Sequence, residues 1–348
     1  LKKIATIFFI FLMIIVGYNF WSNTNRATSI EDMYPRYVIG DVQQVGINHG
    51  KGNILALSPY VHTYNFSSKE AFHNMLHYHL DFAKRRNFLN DSTIVVLPEY
   101  IGTWLVVANE KNSVYVDTSI TDAMKTIVLS NLGRFGKYYL TSTAQEKTKE
   151  TIFKMKAANM LDIYQSTCSK LAKEFHVTIV AGSVVLPNPS VKNNKIEIEP
   201  NGKLYNITAV FDHNGSVLAP LTKKIFPIEE EKTFTCAANT NEIPVYKIND
   251  KNLAVLICAD AWYPESYTYL QNNSVDILVV PSFVAGNNTW KTKWKGYNGA
   301  ATPIDVEKTD IGKISEHDAW LKYAMMNRTL KSDIKTGVNV FLRGDLWN

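Results

Sequence analysis

Short apolar runs alternate along the chain with longer segments whose apolar positions recur every three or four residues. NILALSP from Asn53, STIVVLPEY ending at Tyr100, VTIVAGS from Val177, NITAVFD from Asn206, NLAVLIC from Asn252, DILVVPS from Asp276 and GVNVFL from Gly337 each have the length and β-branched content of a buried strand. Residues 67–86 instead carry Phe72, Met75, Leu76, His79 and Ala83 on one helical face, and Ser67 and Glu70 stand at capping-box spacing. A second helix is predicted over 154–175, where the stripe Leu161, Tyr164, Cys168, Leu171 and Phe175 assigns Cys168 to packing. Strands alternating with helices predict an α/β domain.

The amino terminus breaks this alternation. Lys2 and Lys3 precede IATIFFIFLMIIVGYNFW, Ile4 to Trp21, close to the roughly 20 apolar residues that a bilayer span needs. The run closes on Tyr18, Asn19, Phe20 and Trp21, in the manner of an interfacial aromatic belt. Neither an A-x-A site nor a lipobox cysteine follows. An uncleaved membrane anchor with the remaining chain extracytoplasmic is the favoured expectation, and secretion after signal cleavage is the alternative. Leu1 at the first position fits either a non-standard bacterial start codon or a trimmed fragment. The polar stretch that follows reads as a tether, giving a segment 1–22, a linker 23–50 and a domain 51–348. Two further stretches, 101–151 and 283–317 with Trp290, Trp294 and Tyr297, exceed what simple connections need and carry either specificity or surface decoration.

Composition narrows the function classes. Of 348 residues 46% are hydrophobic and the formal net charge is +5. The densest basic clusters are Lys84-Arg85-Arg86 and the pair Lys223-Lys224, which argues against a nucleic-acid partner. Three cysteines, Cys168, Cys236 and Cys258, make no disulfide framework, and the absence of a CxxC pair argues against a zinc site. Cys236 lies in no motif and reads as structural.

Reactive side chains stand where apolar strands end. IVVLPEY runs into Glu99, LAVLICADAWYPE runs into Cys258, and VFDHNGSVLAPLTKKIFPIEEE sets Lys223 and Lys224 after a hairpin-like turn. Ligands of α/β sheets gather at the carboxyl ends of strands, so these groups are candidates to converge. A free thiol has a pKa near ~8.5 and attacks well at neutral pH only beside a base or a cation. A buried carboxylate can take the thiol proton and return it to a leaving amine. An ammonium, helped by the backbone N–H of Ala259, can hold charge on the substrate oxygen, and one such donor is worth about 3–4 kcal/mol. None of the eight histidines occupies a comparable strand end, and no GxSxG is present.

These three segments, in this order and followed by DILVVPS, resemble the nitrilase (carbon–nitrogen hydrolase) superfamily over about residues 51–345. The resemblance implies a Glu-Lys-Cys triad of Glu99, Lys223 and Cys258. Lys223 is chosen over Lys224 by counting from Gly215 and back from Pro227. Glu230 is the expected supporting carboxylate, with Glu229 and Glu231 competing, while Asp260 and Glu265 fix the turn and the helix start. It further implies a four-layer α-β-β-α sandwich, commonly a homodimer, and no cofactor. The implied activity is hydrolysis of a small-molecule amide or nitrile through a cysteine thioester. Membrane-associated N-acyl transfer by the same triad, and an inactive binding module, stand as alternatives. Leu221-Thr222 and Lys224-Ile225 depart from the family's usual flanks of the lysine, and AWLKYAMMNRTL matches its late arginine-bearing helix loosely, through Arg328. The family adds strands beyond GVNVFLRGDLW, which leaves a truncated carboxyl terminus open.

Overall fold

In the computed structural model, residues 2–27, 37–47, 49–299 and 301–347 are described. The chain opens with helix α1, Lys2–Asn23, a segment apolar enough to cross a membrane and, at about 1.5 Å per residue, about 33 Å long. Strands β1 (Ile54–Ala56) and β2 (Tyr60–His62) lead to α2 (Lys69–Arg85) and β3 (Ile94–Val96). The long stretch after Glu99 is not a loop. It folds into α3 (Ser113–Val116), α4 (Ile120–Ser130) and α5 (Leu132–Tyr139) before α6 (Lys147–Phe175), which starts earlier than its apolar stripe predicts. Then follow β4 (Thr178–Val180), β5 (Val184–Pro187), β6 (Ser190–Lys192), β7 (Lys195–Glu197), β8 (Leu204–Thr208), β9 (Val210–Phe211) and β10 (Thr222–Lys223). The last third contributes α7 (Glu229–Lys232), β11 (Val245–Ile248), β12 (Lys251–Val255), α8 (Pro264–Asn272), β13 (Ile277–Ser282), α9 (Glu316–Tyr323), α10 (Met325–Leu330), β14 (Thr336–Phe341) and β15 (Arg343–Asp345).

Two four-stranded sheets carry the domain, in the orders β1-β3-β4-β9 and β11-β12-β13-β14. Within the first, β1, β3 and β4 run parallel; within the second, β12, β13 and β14 do, with Val255 opposite Val279 and Val279 opposite Val338. The facing residues of the two sheets share one apolar core: Ile94, Val96, Val180 and Val210 with Leu253, Val255, Val279 and Val340. On the outer face of the first sheet, α2 and α6 bury Phe72, Met75, Leu76, Tyr164 and Cys168. On the outer face of the second, Ala254, Leu256, Leu278 and Val280 pack with Tyr267 and Leu270 of α8. The architecture is therefore mixed α/β with an amino-terminal apolar helix.

Several local expectations shift. The cap of α2 is Ser68, whose hydroxyl accepts the Ala71 N–H at 3.1 Å; Ser67 belongs to the preceding turn. The expected tether is partly packed: Ala27 is buried, and Arg26 forms a bridge with Lys111. Residues 28–36 and 48 of that tether lie outside the described residues. In the second long stretch, Trp294 is buried in an aromatic cluster with Trp262, Trp320 and Tyr323, and Trp290 and Tyr297 pack against it.

Candidate active site

Each four-stranded sheet directs the end of one of its parallel strands toward one place. β3 runs through Leu97 and Pro98 to Glu99, which is 1% exposed. Its approach to β4 is close. A Cβ on Gly182 would lie 2.1 Å from the Pro98 carbonyl oxygen, and Gly182 has φ +62°, so the position needs glycine on two counts. β12 runs through Leu256 and Ile257 to Cys258. Cys258 has φ +50° and Tyr100, next to Glu99, has φ +64°. A non-glycine residue held there costs on the order of 1–3 kcal/mol and persists only where its surroundings enforce it.

The enforcement at Cys258 comes from Asp260. Its fully buried carboxylate accepts the backbone N–H of Ile257 at 3.2 Å, of Ile225 at 3.0 Å and of Phe226 at 2.7 Å. One side chain thus ties the cysteine turn to the segment that follows the lysines. Burial pushes the Asp260 carboxyl up to about 7, against the pull of Lys224 and of the three N–H donors. The expectation that Asp260 fixes the turn agrees with this geometry.

Of the two lysines, the structure brings Lys224 to Glu99. Lys224, 2% exposed, donates to Glu99 Oε1 at 2.8 Å and lies 2.6 Å from Glu231 Oε2. Lys223 points the other way, with its Nζ 4.5 Å from the centre of the Tyr205 ring. The physical reason is strand alternation. β10 pairs antiparallel with β8, Lys223 opposite Ile207, so consecutive side chains leave on opposite faces. Counting positions from a turn does not reveal which of two adjacent residues faces inward.

Of the three consecutive glutamates, the structure brings Glu231 to this lysine. Glu229 and Glu230 are exposed, whereas Glu231 is buried at the third position of α7. Its carboxylate accepts the Ile228 N–H at 2.9 Å, Asn206 Nδ2 at 3.0 Å and the Tyr100 hydroxyl. Asn206 also donates to Glu99 at 3.1 Å. Tyr100 and Asn206 were missed in the sequence reading. Tyr100 adjoins Glu99, and Asn206 is an amide in a strand otherwise buried among apolar neighbours; those two facts were the available signals.

Cys258 Sγ is 3.5 Å from the Phe283 carbonyl oxygen, and its thiol lies within the electrostatic influence of Glu99 and Lys224. Burial, and then the Glu99 charge, push the thiol well above its usual range, while Lys224 pulls it down. Burial also raises Glu99, opposed by Lys224. Desolvation disfavours the Lys224 ammonium, but Glu231 and Glu99 outweigh it and hold the lysine well above its usual range. Glu231 is lowered on balance, because Lys224 and its donors outweigh its own burial. Ala259, whose N–H follows the cysteine, is buried.

The profile of the carbon–nitrogen hydrolase family matches residues 57–296, more than half of the sequence. The chain belongs to this family. Two curated relatives in Synechocystis sp., both named deaminated glutathione amidase, are 32% identical over 132 residues, covering 35% of this chain. The chain spans 45% of the length of those relatives. Among solved structures, an amidase of the nitrilase superfamily from Nesterenkonia AN1 is 12% identical over 84% of this chain and 77% of its own, with a TM-score of 0.46. Another structure of an amidase from Nesterenkonia sp. is 14% identical over 68% of this chain and 65% of its own, with a TM-score of 0.39.

Two remaining features of this family member bear on the site. Arg328 of α10 donates to the Trp262 carbonyl at 2.6 Å and pairs with Asp305, so the late arginine braces the turn that carries Cys258. An open cavity of about 770 Å³ lies between α9, α10 and β14, lined by Trp290, Trp320 and Phe341, and neither Glu99, Lys224 nor Cys258 borders it.

Proposed function

We propose that the protein hydrolyses the amide bond of a small molecule through a covalent cysteine intermediate, with Glu99, Lys224 and Cys258 as the reacting set. The observation that carries this reading is that one buried carboxylate, Glu99, pairs with the ammonium of Lys224 at 2.8 Å, while its charge also acts on the thiol of Cys258. Glu99 takes the thiol proton as sulfur attacks the amide carbon. Charge moves to the carbonyl oxygen, where Lys224 and the Ala259 N–H receive it. The C–N bond then breaks, and Glu99 returns the proton to the departing amine. Water, deprotonated by Glu99, attacks the thioester; the acid leaves and the proton returns to sulfur.

Glu231, Tyr100 and Asn206 keep Lys224 charged and aimed. The names of the Synechocystis relatives support an amide substrate. The shared core between the two sheets, with helices on both outer faces, supports the four-layer order expected of the family. We further infer that α1 anchors the protein in a membrane, because its flanks Ile4 to Val16 are exposed along the whole segment and make no core of their own. That exposed helix also favours a second reading, in which an amine at the membrane replaces water as acceptor.

The deciding experiment incubates the full chain with a panel of small amides and looks for an acyl adduct by mass spectrometry. The expected result is an adduct on Cys258 in the parent chain that is absent in Cys258→Ala and forms far more slowly in Glu99→Gln. Undiminished amidase activity in Cys258→Ala overturns the reading. Transfer of the acyl group to an added amine, with little free acid, selects the second reading.

A further inference from the structure

The segment between Glu99 and α6 contains a surface that the amide chemistry does not use. Helix α5 turns Phe135 and Tyr138 inward against the core. Its solvent side carries Leu132, Arg134, Lys137 and Tyr139, with Leu140 just past its end. Leu129, Leu132, Tyr139 and Leu140 are all exposed, Leu140 at 86%. A helix side that sets leucine and tyrosine beside cations has the make-up of a segment that lies in a lipid–water interface.

The position of this helix relative to α1 is what singles out its occupant. The Leu132 N–H donates to the Tyr18 hydroxyl at 3.0 Å, so the start of α5 meets α1 at its aromatic end. Lys111 clamps the same end, donating to the Trp21 carbonyl at 2.7 Å and the Thr24 carbonyl at 2.8 Å. Arg26 locks the exit further. It donates to the Ser22 carbonyl at 2.7 Å, the Ser130 carbonyl at 2.8 Å and the buried Glu110 at 2.9 Å. Lys156 holds the other oxygen of Glu110 at 2.6 Å. With α1 fixed this way, tyrosine and tryptophan at the headgroup level bring Leu132 to that level too.

We propose that α5, with the end of α4, rests on the bilayer as an interfacial helix. Leu129, Leu132 and Leu140 enter the acyl boundary, and Arg134 and Lys137 face anionic headgroups. The inference rests on the reading of α1 as an anchor. It goes beyond that reading by giving the catalytic domain one fixed face toward the membrane.

The test places a photo-crosslinking phenylalanine analogue singly at positions 8, 91, 132 and 140 of the full chain, in vesicles of phosphatidylcholine and phosphatidylglycerol. Asp91, exposed ahead of β3 at the end of the sheet away from Glu99, is the reference. Because Leu132, Leu140 and Asp91 are exposed, the substitutions leave the core untouched. The expected result is lipid labelling at Phe8, Leu132 and Leu140 well above that at Asp91. Labelling at Phe8, with Leu132 and Leu140 no higher than Asp91, overturns the interfacial helix and leaves the anchor standing. Absence of labelling at Phe8 overturns the anchor and this inference together. Protein–protein adducts from position 140 in place of lipid adducts also overturn it, in favour of a second copy as occupant.

Discussion

At the scale of single residues, the site is a problem in keeping a buried cation and two buried carboxylates in mutual reach. Removing one partner of such a set leaves an uncompensated charge, which costs about 3–5 kcal/mol. Lys224→Met should therefore lower both stability and kcat. The loss of an oxyanion donor alone predicts about a hundred- to a thousand-fold drop in kcat. Lys223→Met, on the Tyr205 face, should leave kcat close to that of the parent. Steady-state kinetics on the two variants checks the assignment, and the reverse pattern would return it to Lys223. A pH profile tests Glu99. Its carboxyl is raised above 4.5 by burial, and the proposed chemistry needs it ionised. Activity should thus fall as pH drops through that raised value, an acid limb above the ordinary carboxylate range, and Glu99→Gln should abolish the limb together with turnover.

At the scale of elements, the important joints are made by single buried carboxylates that accept from more than one segment. Asp260 joins the cysteine turn to the strand end after Lys224 through three backbone N–H groups. Each buried donor left without its partner costs about 1–3 kcal/mol. Asp260→Ala should lower the midpoint of thermal unfolding and cut kcat more than KM changes. An unaltered melting curve would show that the turn holds itself. Glu110 plays the corresponding part where α1 meets the domain, accepting Arg26, Lys156, Ser130 and Asn131. Glu110→Ala should loosen α4 and α5, read as faster amide exchange over residues 120–140, while the distant Cys258 turn keeps its protection.

At the scale of the whole molecule, the chain's own order carried much of the result. Strand and helix periodicity was legible because burial of one face imposes a period of two or 3.6 on the sequence. The apolar runs at Val95, Val255 and Val279 are buried strands for that reason. The segment 101–151 was not legible as α3 to α5, because Leu129, Leu132 and Leu140 are exposed and disturb the apolar stripe on which such reading depends. The carboxyl-terminal strands likewise close contacts that local pattern does not announce. β15 pairs with β2, and Trp347 donates to the Val114 carbonyl at 2.7 Å, across more than two hundred positions. Trp347→Ala should destabilise the full chain by about 3–5 kcal/mol, the usual cost of truncating a buried aromatic, measured by denaturant unfolding.

Taken alone, the sequence determined the main buried strands and helices α2 and α6, the family, and the strand ends that present Glu99 and Cys258, since each is local in the chain or repeated in a motif. Which lysine faces Glu99, and which of three consecutive glutamates joins it, were decided only by tertiary structure. Adjacent side chains leave a strand or a helical turn in different directions, and the face that is buried depends on what packs there. Lys224 and Glu231 are inside because Glu99, Tyr100 and Asn206 arrive from distant positions to satisfy them.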